Sequence, residues 1–416
     1  MIRHAWLKSS LALAIPVAAT SASANGIAIN EQSASGMGTG FAGRSSSAED
    51  ASTLFGNPAG MSRLDRTEVS GGAALIMAKT DIDNASGSAT GTNDGDMVPT
   101  SVIPFGYLVT PLNDRWHAGI GVYAPFGVIS DYEDSFQGGG HGRYSKVQVV
   151  TLQPTLSFQV NDRISVGFGP TINHISGKLT SAFGNGEVNI KGDDVGYGFN
   201  AGVLVDVTDQ LAWGLTYHSK VDYTLDGRTR LNNLPGPAAG ANGEYDANLD
   251  FTTPESVDTS LTFELDPQWT LYAGATWTRW SRLDKIVVEN DGVAAPFQPN
   301  FSEIEEPLNW EDTWAFAVGA AYQIAPQWTL RTGFTVDQSP VGDSDRTVRI
   351  PVSNRKVFSL GAGWDVSQDM TIDVAYSYLH ESKGKIEQAA KSSTGSYNAD
   401  YRNSAHGLSS QVTYRF

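Results

Sequence analysis

The sequence predicts an all-β fold: a 14-stranded antiparallel transmembrane β-barrel, residues 66–416, with a small N-terminal plug, residues 25–65, in its lumen. Three observations carry this reading. Segments of alternating apolar and polar residues recur along the chain. They are joined alternately by short turns and by long polar stretches. After the first 24 residues no run of eighteen or more apolar residues appears, so no helical span is expected.

Residues 1–24 read as an export signal. Arg3 and Lys8 form a basic start, and Leu11–Ala19 is an apolar stretch far shorter than the ~20 residues of a spanning helix. Ala22-Ser23-Ala24 supplies the small-residue cleavage site, so the mature chain is predicted to begin at Asn25. The formal net charge is −17, and it becomes more negative once Arg3 and Lys8 are removed. A chain so acidic has no basic patch to follow phosphates, which excludes nucleic acid as a partner. The absence of cysteine excludes disulfides and thiolate metal sites, and neither a metal nor a cofactor is expected.

The short turns are "PLNDRW" (111–116), "VNDRI" (160–164), "VTDQL" (207–211), "LDPQW" (265–269), "IAPQW" (324–328) and "VSQDM" (366–370). Each is a few turn formers closed by an apolar residue, as a tight hairpin requires. Between and on either side of them lie seven polar stretches, near 81–98, 127–143, 181–191, 227–248, 289–307, 338–353 and 385–401. Six turns and seven loops join fourteen strands and put both chain ends on the short-turn side. An even strand number with one-sided loop lengths is the pattern of a bacterial outer-membrane barrel.

Within strands the two faces separate cleanly. In "RISVGFGPTIN" Ile164, Val166, Phe168, Pro170 and Ile172 oppose Ser165, Gly167, Gly169, Thr171 and Asn173. Trp116, Trp213, Trp269 and Trp328 stand beside short turns, where an interfacial girdle belongs. The closing "GLSSQVTYRF" points Leu408, Val412, Tyr414 and Phe416 to one side, an amphipathic last strand ending in an aromatic. Strands longer than the ~9–11 residues needed to cross should project beyond the membrane on the long-loop side.

Residues 25–65 show no alternation and are rich in small residues, yet carry Ile27, Ile29, Phe41, Leu54, Phe55 and Met61, too many apolar side chains for a solvated arm. Starting at the barrel's mouth, this segment fits the lumen. In the third strand, "RWHAGIGVYAPFG", His117, Gly119, Gly121 and Tyr123 point inward, and inward glycines mark a close approach of other chain. The same strand ends in Ala124-Pro125-Phe126-Gly127. Proline cannot donate to the ladder, so pairing is expected to break there, with an internal partner for the freed groups. The rigid corner Asn57-Pro58-Ala59 is expected to be that partner.

These features together resemble the FadL/TodX family of outer-membrane channels for hydrophobic compounds. The resemblance rests on the hatch-like "GIAINEQSASGMGTGFAG", on Asn57-Pro58-Ala59, and on "DPQWTLYAGATWTRWS" and "WTLRTGFTVDQSPV", and it spans 25–416. It implies passive uptake of long-chain fatty acids, or alternatively of uncharged aromatic or aliphatic hydrocarbons. The segment would act as a hatch, with Leu54, Phe55, Asn57, Pro58 and Ala59 as gate residues. Ligand would leave sideways into outer-membrane lipid at Ala124–Gly127. It implies a monomer without a protein partner, and no enzyme. Fatty-acid members are expected to meet the carboxylate with wall cations. The candidates in this chain are Arg331, inward by parity, and Lys178 in "NHISGKLT". The short third long loop, 181–191, puts an external docking groove in doubt. A general porin and a barrel phospholipase are the rival readings; His117, His174, His218 and His380 lie on strands without a triad pattern. Gly38–Gly43 matches a dinucleotide fingerprint but follows no strand.

Overall fold

The computed structural model describes residues 26–390 and 394–416; the predicted export signal and Asn25 lie outside the described residues. Nineteen hydrogen-bonded segments close into one antiparallel ring. They make fourteen strands because five strands are interrupted once. The continuous ones are β1 (Glu68–Gly87), β2 (Ser101–Pro111), β3 (Trp116–Asp131), β4 (Tyr144–Asn161), β5 (Ile164–Phe183) and β6 (Gly186–Asp206). The next four are interrupted: β7 (Leu211–His218, Val221–Asn232), β8 (Gly243–Thr253, Ser256–Glu264), β9 (Trp269–Thr278, Lys285–Asn290) and β10 (Glu303–Pro307, Thr313–Ala325). The ring finishes with β11 (Trp328–Asp337), β12 (Arg355–Asp365), β13 (Met370–Glu381, Gly384–Gln388) and β14 (Tyr397–Arg415). It closes where β1 pairs β14, from Glu68↔Arg415 to Gly87↔Tyr397.

The six short turns fall where the sequence places them. The third polar stretch, 181–191, differs from expectation. β5 and β6 stay paired out to Phe183↔Gly186, and only Gly184 and Asn185 form the turn, with Gly184 at φ 59. A strand that has left the membrane no longer needs an apolar outer face, so its polar continuation reads as a loop although it is still a ladder. The same holds for parts of 227–248, where Leu231↔Gly243 still pairs. β6 is 21 residues long, well beyond the ~9–11 that cross a bilayer.

The outer face carries exposed Phe168, Val318, Leu360 and Val412, with aromatic contacts near the short turns. Trp328 stacks on Trp364 at 5.6 Å, Trp269 meets Tyr322 at 4.5 Å and Trp116 meets Phe158 at 4.6 Å. The inner face is small and polar, as in Thr216, Ser260, Ser359 and Thr413. That asymmetry is what lipid outside and chain inside select.

Residues 26–65 run along this inner face. Short helices α1 (Ala34–Gly38) and α2 (Thr53–Gly56) and a 3₁₀ turn (Pro58–Arg63) are joined by irregular backbone. Lumenal glycines make room for it. A Cβ at Gly333 would lie 2.1 Å from the Thr39 carbonyl, and one at Gly214 would lie 1.7 Å from that of Ser45. Gly38 touches Gly361 on β12, Ala42 touches Gly274 on β9, and Asn57 and Pro58 touch Gly202 and Gly167 on β6 and β5. The segment therefore follows the wall around more than half of the ring.

Candidate functional site

Part-way along β3 the wall loses its regular pairing. β2 pairs β3 from Pro111↔His117 to Gly106↔Val122 and no further, although β2 extends back to Ser101. On its other side β3 shifts register against β4 between Tyr123 and Phe126. Pro125 has no N–H to give, so a regular ladder cannot pass through it. A backbone group left unpaired at this depth costs several kcal/mol, and the N-terminal segment supplies the partners. Gly127 N–H donates to Ile27 O (2.8 Å), Ile29 N–H donates to Pro125 O (2.9 Å), and Gln32 Nε2 donates to Ala124 O (2.6 Å). Ala28 stands opposite Phe126 as an antiparallel bridge. Behind it Trp280, fully buried, meets Phe126 edge-on at 6.3 Å and Trp310 at 5.2 Å.

The corner Asn57-Pro58 does not meet this discontinuity, which corrects the expected pairing. Asn57 is fully buried; its Nδ2 donates to Ser45 O (2.6 Å) and Val203 O (2.9 Å), and its Oδ1 accepts from Ala59 N (3.0 Å). Pro58 begins the 3₁₀ turn, where its fixed φ suits the first turn and its missing N–H costs nothing. The corner thus ties two stretches of the segment to β6. Ala59 O accepts the Ser157 hydroxyl at 3.2 Å, adding β4. Leu54 and Phe55 are nearer β3. Leu54 packs against Gly119 and Gly121, and Phe55 lies edge-on to Tyr123 at 4.8 Å and beside His218 at 5.4 Å.

A cavity of ≈ 110 Å³ lies between segment and wall. Ala28, Ile29, Phe41, Phe55, Pro125 and Phe126 contribute its apolar side; Thr151, Asn200, Ser256 and Asp258 contribute polar groups. Tyr123, Gln153 and Asn200 form one buried network, with Asn200 Nδ2 donating to Gln153 Oε1 at 2.6 Å. Toward the long-loop side the inner wall turns apolar, with Ile175, Leu225, Leu249, Phe251 and Val288 around a second hollow. On the short-turn side, below the segment, opens a larger vestibule of ≈ 740 Å³ with Arg63, Asp162, Arg163, Asp206, Asp209 and Arg331 on its walls.

Neither wall cation named from the sequence lies in the cavity. Arg331 faces inward, as its parity requires, but is held between Glu49 (2.7 Å) and Asp373 (2.8 Å), with Tyr272 donating to Glu49 at 2.8 Å. It anchors the segment above the vestibule. Lys178 is on the outer face of β5, its ammonium 4.9 Å from the Tyr144 ring centre. The side-chain period of two decides this: Thr171, Asn173 and Ile175 face inward, so Ser176 and Lys178 alternate with them on the opposite side to Gly177 and Leu179. The cation that does line the cavity is Arg44, from the N-terminal segment. Sequence reading passed over it, although it is the only basic residue between positions 25 and 62. Ile27–Gln32 was likewise not singled out as the partner of β3.

The chain matches, over residues 15–416, the model of a family described as outer membrane protein transport protein (OMPP1/FadL/TodX). It is 27% identical over 433 residues to the long-chain fatty acid transport protein of Escherichia coli O6:H1, covering 95% of this chain and 96% of that relative. Among solved structures it is similar to a Pseudomonas aeruginosa FadL homologue, with a TM-score of 0.85 at 24% identity over 94% of this chain and 100% of that one. It is also similar to the Ralstonia pickettii toluene transporter TbuX, with a TM-score of 0.66 at 17% identity over 89% and 95% of the two chains. At these identities the structural likeness speaks for the fold.

Proposed function

The chain belongs to the OMPP1/FadL/TodX family of outer membrane transport proteins, and on that premise we propose that it carries long-chain fatty acids passively across the outer membrane. In this reading the N-terminal segment is a hatch, and ligand leaves sideways through the wall at Ala124–Gly127. The observation that carries it is a coincidence of place. Ile27–Gln32 supplies the backbone partners of β3 where its pairing with β2 has stopped, and Ala28, Ile29, Pro125 and Phe126 also line the cavity. One movement of residues 27–32 would therefore open the cavity and free the wall together.

The two possible exits differ in solvent. Downward lies a vestibule walled by charges. An acyl chain passing that way would give up roughly 0.8 kcal/mol for every CH₂ exposed to water, whereas a sideways exit delivers it into hydrocarbon. The apolar hollow around Phe251 and Val288 gives the chain a matching environment on the way in. That hollow also favours the second reading, an uncharged hydrocarbon taking the same route, because nothing around it demands a charged head group.

The Ala28↔Phe126 bridge allows a direct test. The flanking bonds, Ile29 N–H to Pro125 O and Gly127 N–H to Ile27 O, make this a non-hydrogen-bonded pair, whose Cα atoms stand about 4.5 Å apart, within reach of a disulfide. The chain has no cysteine of its own. Ala28→Cys with Phe126→Cys should, when oxidised, stop oleate uptake into cells and recover it on reduction, with the barrel folded throughout. Undiminished uptake in the oxidised protein would sink the sideways exit. Passage of small sugars regardless of redox state would instead indicate a general porin.

A further inference from the structure

We propose that Arg44, on the hatch itself, is the head-group residue of the cavity: it takes the carboxylate of the transported acid, and the barrel wall does not. The proposal rests on the fatty-acid reading above and adds the residue that would select an acid over a neutral molecule. Among the described residues, Arg44 and Arg115 are the arginines without a carboxylate within 4.0 Å. Arg115 sits on an exposed short turn, where it donates to Val160 O. Arg44 lines the cavity. The inward arginines Arg331, Arg349 and Arg355 are each committed, to Asp373, Glu306 and Asp337 in turn.

The surroundings hold Arg44 in place without a carboxylate bonded to it. Its Nη2 donates to Asn30 Oδ1 at 2.7 Å, and its guanidinium lies over the Phe41 ring, 5.1 Å from the centre. An arginine has five N–H donors in a planar fork that matches a carboxylate in two bonds at once. A neutral amide oxygen and a ring face orient that fork, and among the described residues no carboxylate stands within 4.0 Å to bond it. Of the acids around it, Asp337 is paired with Arg355 at 2.7 Å and Asp258 Oδ2 accepts from the Thr276 hydroxyl at 2.6 Å, while Glu31, half-buried on the same segment, shares its field between Arg355 and Arg44 without coming within 4.0 Å of either. Asn30 and Arg44 both belong to the hatch, and Asn30 directly follows Ile29, which bonds to Pro125 O. A carboxylate on Arg44 competes with Asn30 for the guanidinium, so head-group binding acts on the strand that closes the wall.

The test compares oleate with oleyl alcohol, which has the same chain and no charge, on purified detergent-extracted barrel. Arg44→Gln should weaken oleate binding about tenfold to a hundredfold, the range of a charge-assisted bond, and leave oleyl alcohol within about twofold. Arg44→Lys, a point charge without the fork, should lose less than Arg44→Gln. Folding is checked by heat-modifiable electrophoretic migration. If wild type binds oleate and Arg44→Gln binds it equally well, or if both ligands weaken together, the assignment to Arg44 is overturned while the transport reading stands. If wild type binds neither ligand, both fall.

Discussion

Asn57→Ala should uncouple the N-terminal segment from the barrel without unfolding the barrel. The Asn57 side chain is fully buried and serves three backbone groups, the carbonyls of Ser45 and Val203 and the N–H of Ala59. Alanine leaves Ser45 O and Ala59 N–H without this partner and removes the segment's bond to Val203 O, which keeps its ladder partner Leu215. A buried polar group stripped of its partner costs about 1–3 kcal/mol. Even at the low end, two such losses, together with the bond to the wall at Val203, itself worth about 1 kcal/mol, weaken docking of the segment by about 3 kcal/mol, roughly a hundredfold in the docked-to-undocked ratio. Two of the three bonds lie within the segment, and only that to Val203 reaches the wall, so the strand ladders keep the barrel closed. The vestibule below would then communicate with the lumen above. Planar-bilayer recordings should show ionic conductance well above wild type, while electrophoretic migration of the unheated protein stays that of a folded barrel. Asn57→Asp sharpens the test. It keeps the acceptor for Ala59 N–H but sets carboxylate oxygens against the carbonyls of Ser45 and Val203, so it should conduct at least as much as Asn57→Ala. Wild-type conductance in Asn57→Asp would refute the argument, because the two donated bonds would then carry no docking energy.

Two further outcomes follow from the same contacts. Arg331→Gln removes the cation between Glu49 and Asp373 and should destabilise the protein by about 3–5 kcal/mol, the cost of leaving a buried charge unpaired; the temperature at which folded migration is lost should fall, while oleate affinity stays within twofold. Gly214→Ala puts a methyl 1.7 Å from the Ser45 carbonyl and should displace the segment and raise conductance, whereas Gly71→Ala, whose nearest atom is 3.9 Å away, should change nothing.

Much of this architecture was legible because it is periodic. Alternation in "RISVGFGPTIN" places Phe168 outward and Thr171 inward, and the structure has them exposed and buried. Where the periodic signal loses its apolar half, reading fails. The run through 181–191 continues the β5–β6 ladder, yet outside the membrane its outer face carries Glu187, Asn189 and Lys191 and it reads as a loop. Arg331 was legible in direction but not in engagement. Parity turns it inward, and only the position of Glu49 shows that its charge is spent on the segment. Arg44 is not legible in this way, because inward cations are read from parity along strands and it lies on an irregular stretch with no period to read.

By itself, then, the sequence determined the strand number, the orientation of each face and the rim on which the turns lie, since each depends on neighbours a few residues apart. The tertiary structure alone decided which group serves which. Gln32 reaches Ala124 across 92 positions and Arg331 reaches Glu49 across 282. Nothing local encodes such pairings, because an irregular segment can follow a ring of inward glycines by many routes. The route is settled by where its backbone and side-chain groups find every partner they need. On that route Asn57 falls to β6, and Ile27–Gln32 falls to the discontinuity in β3.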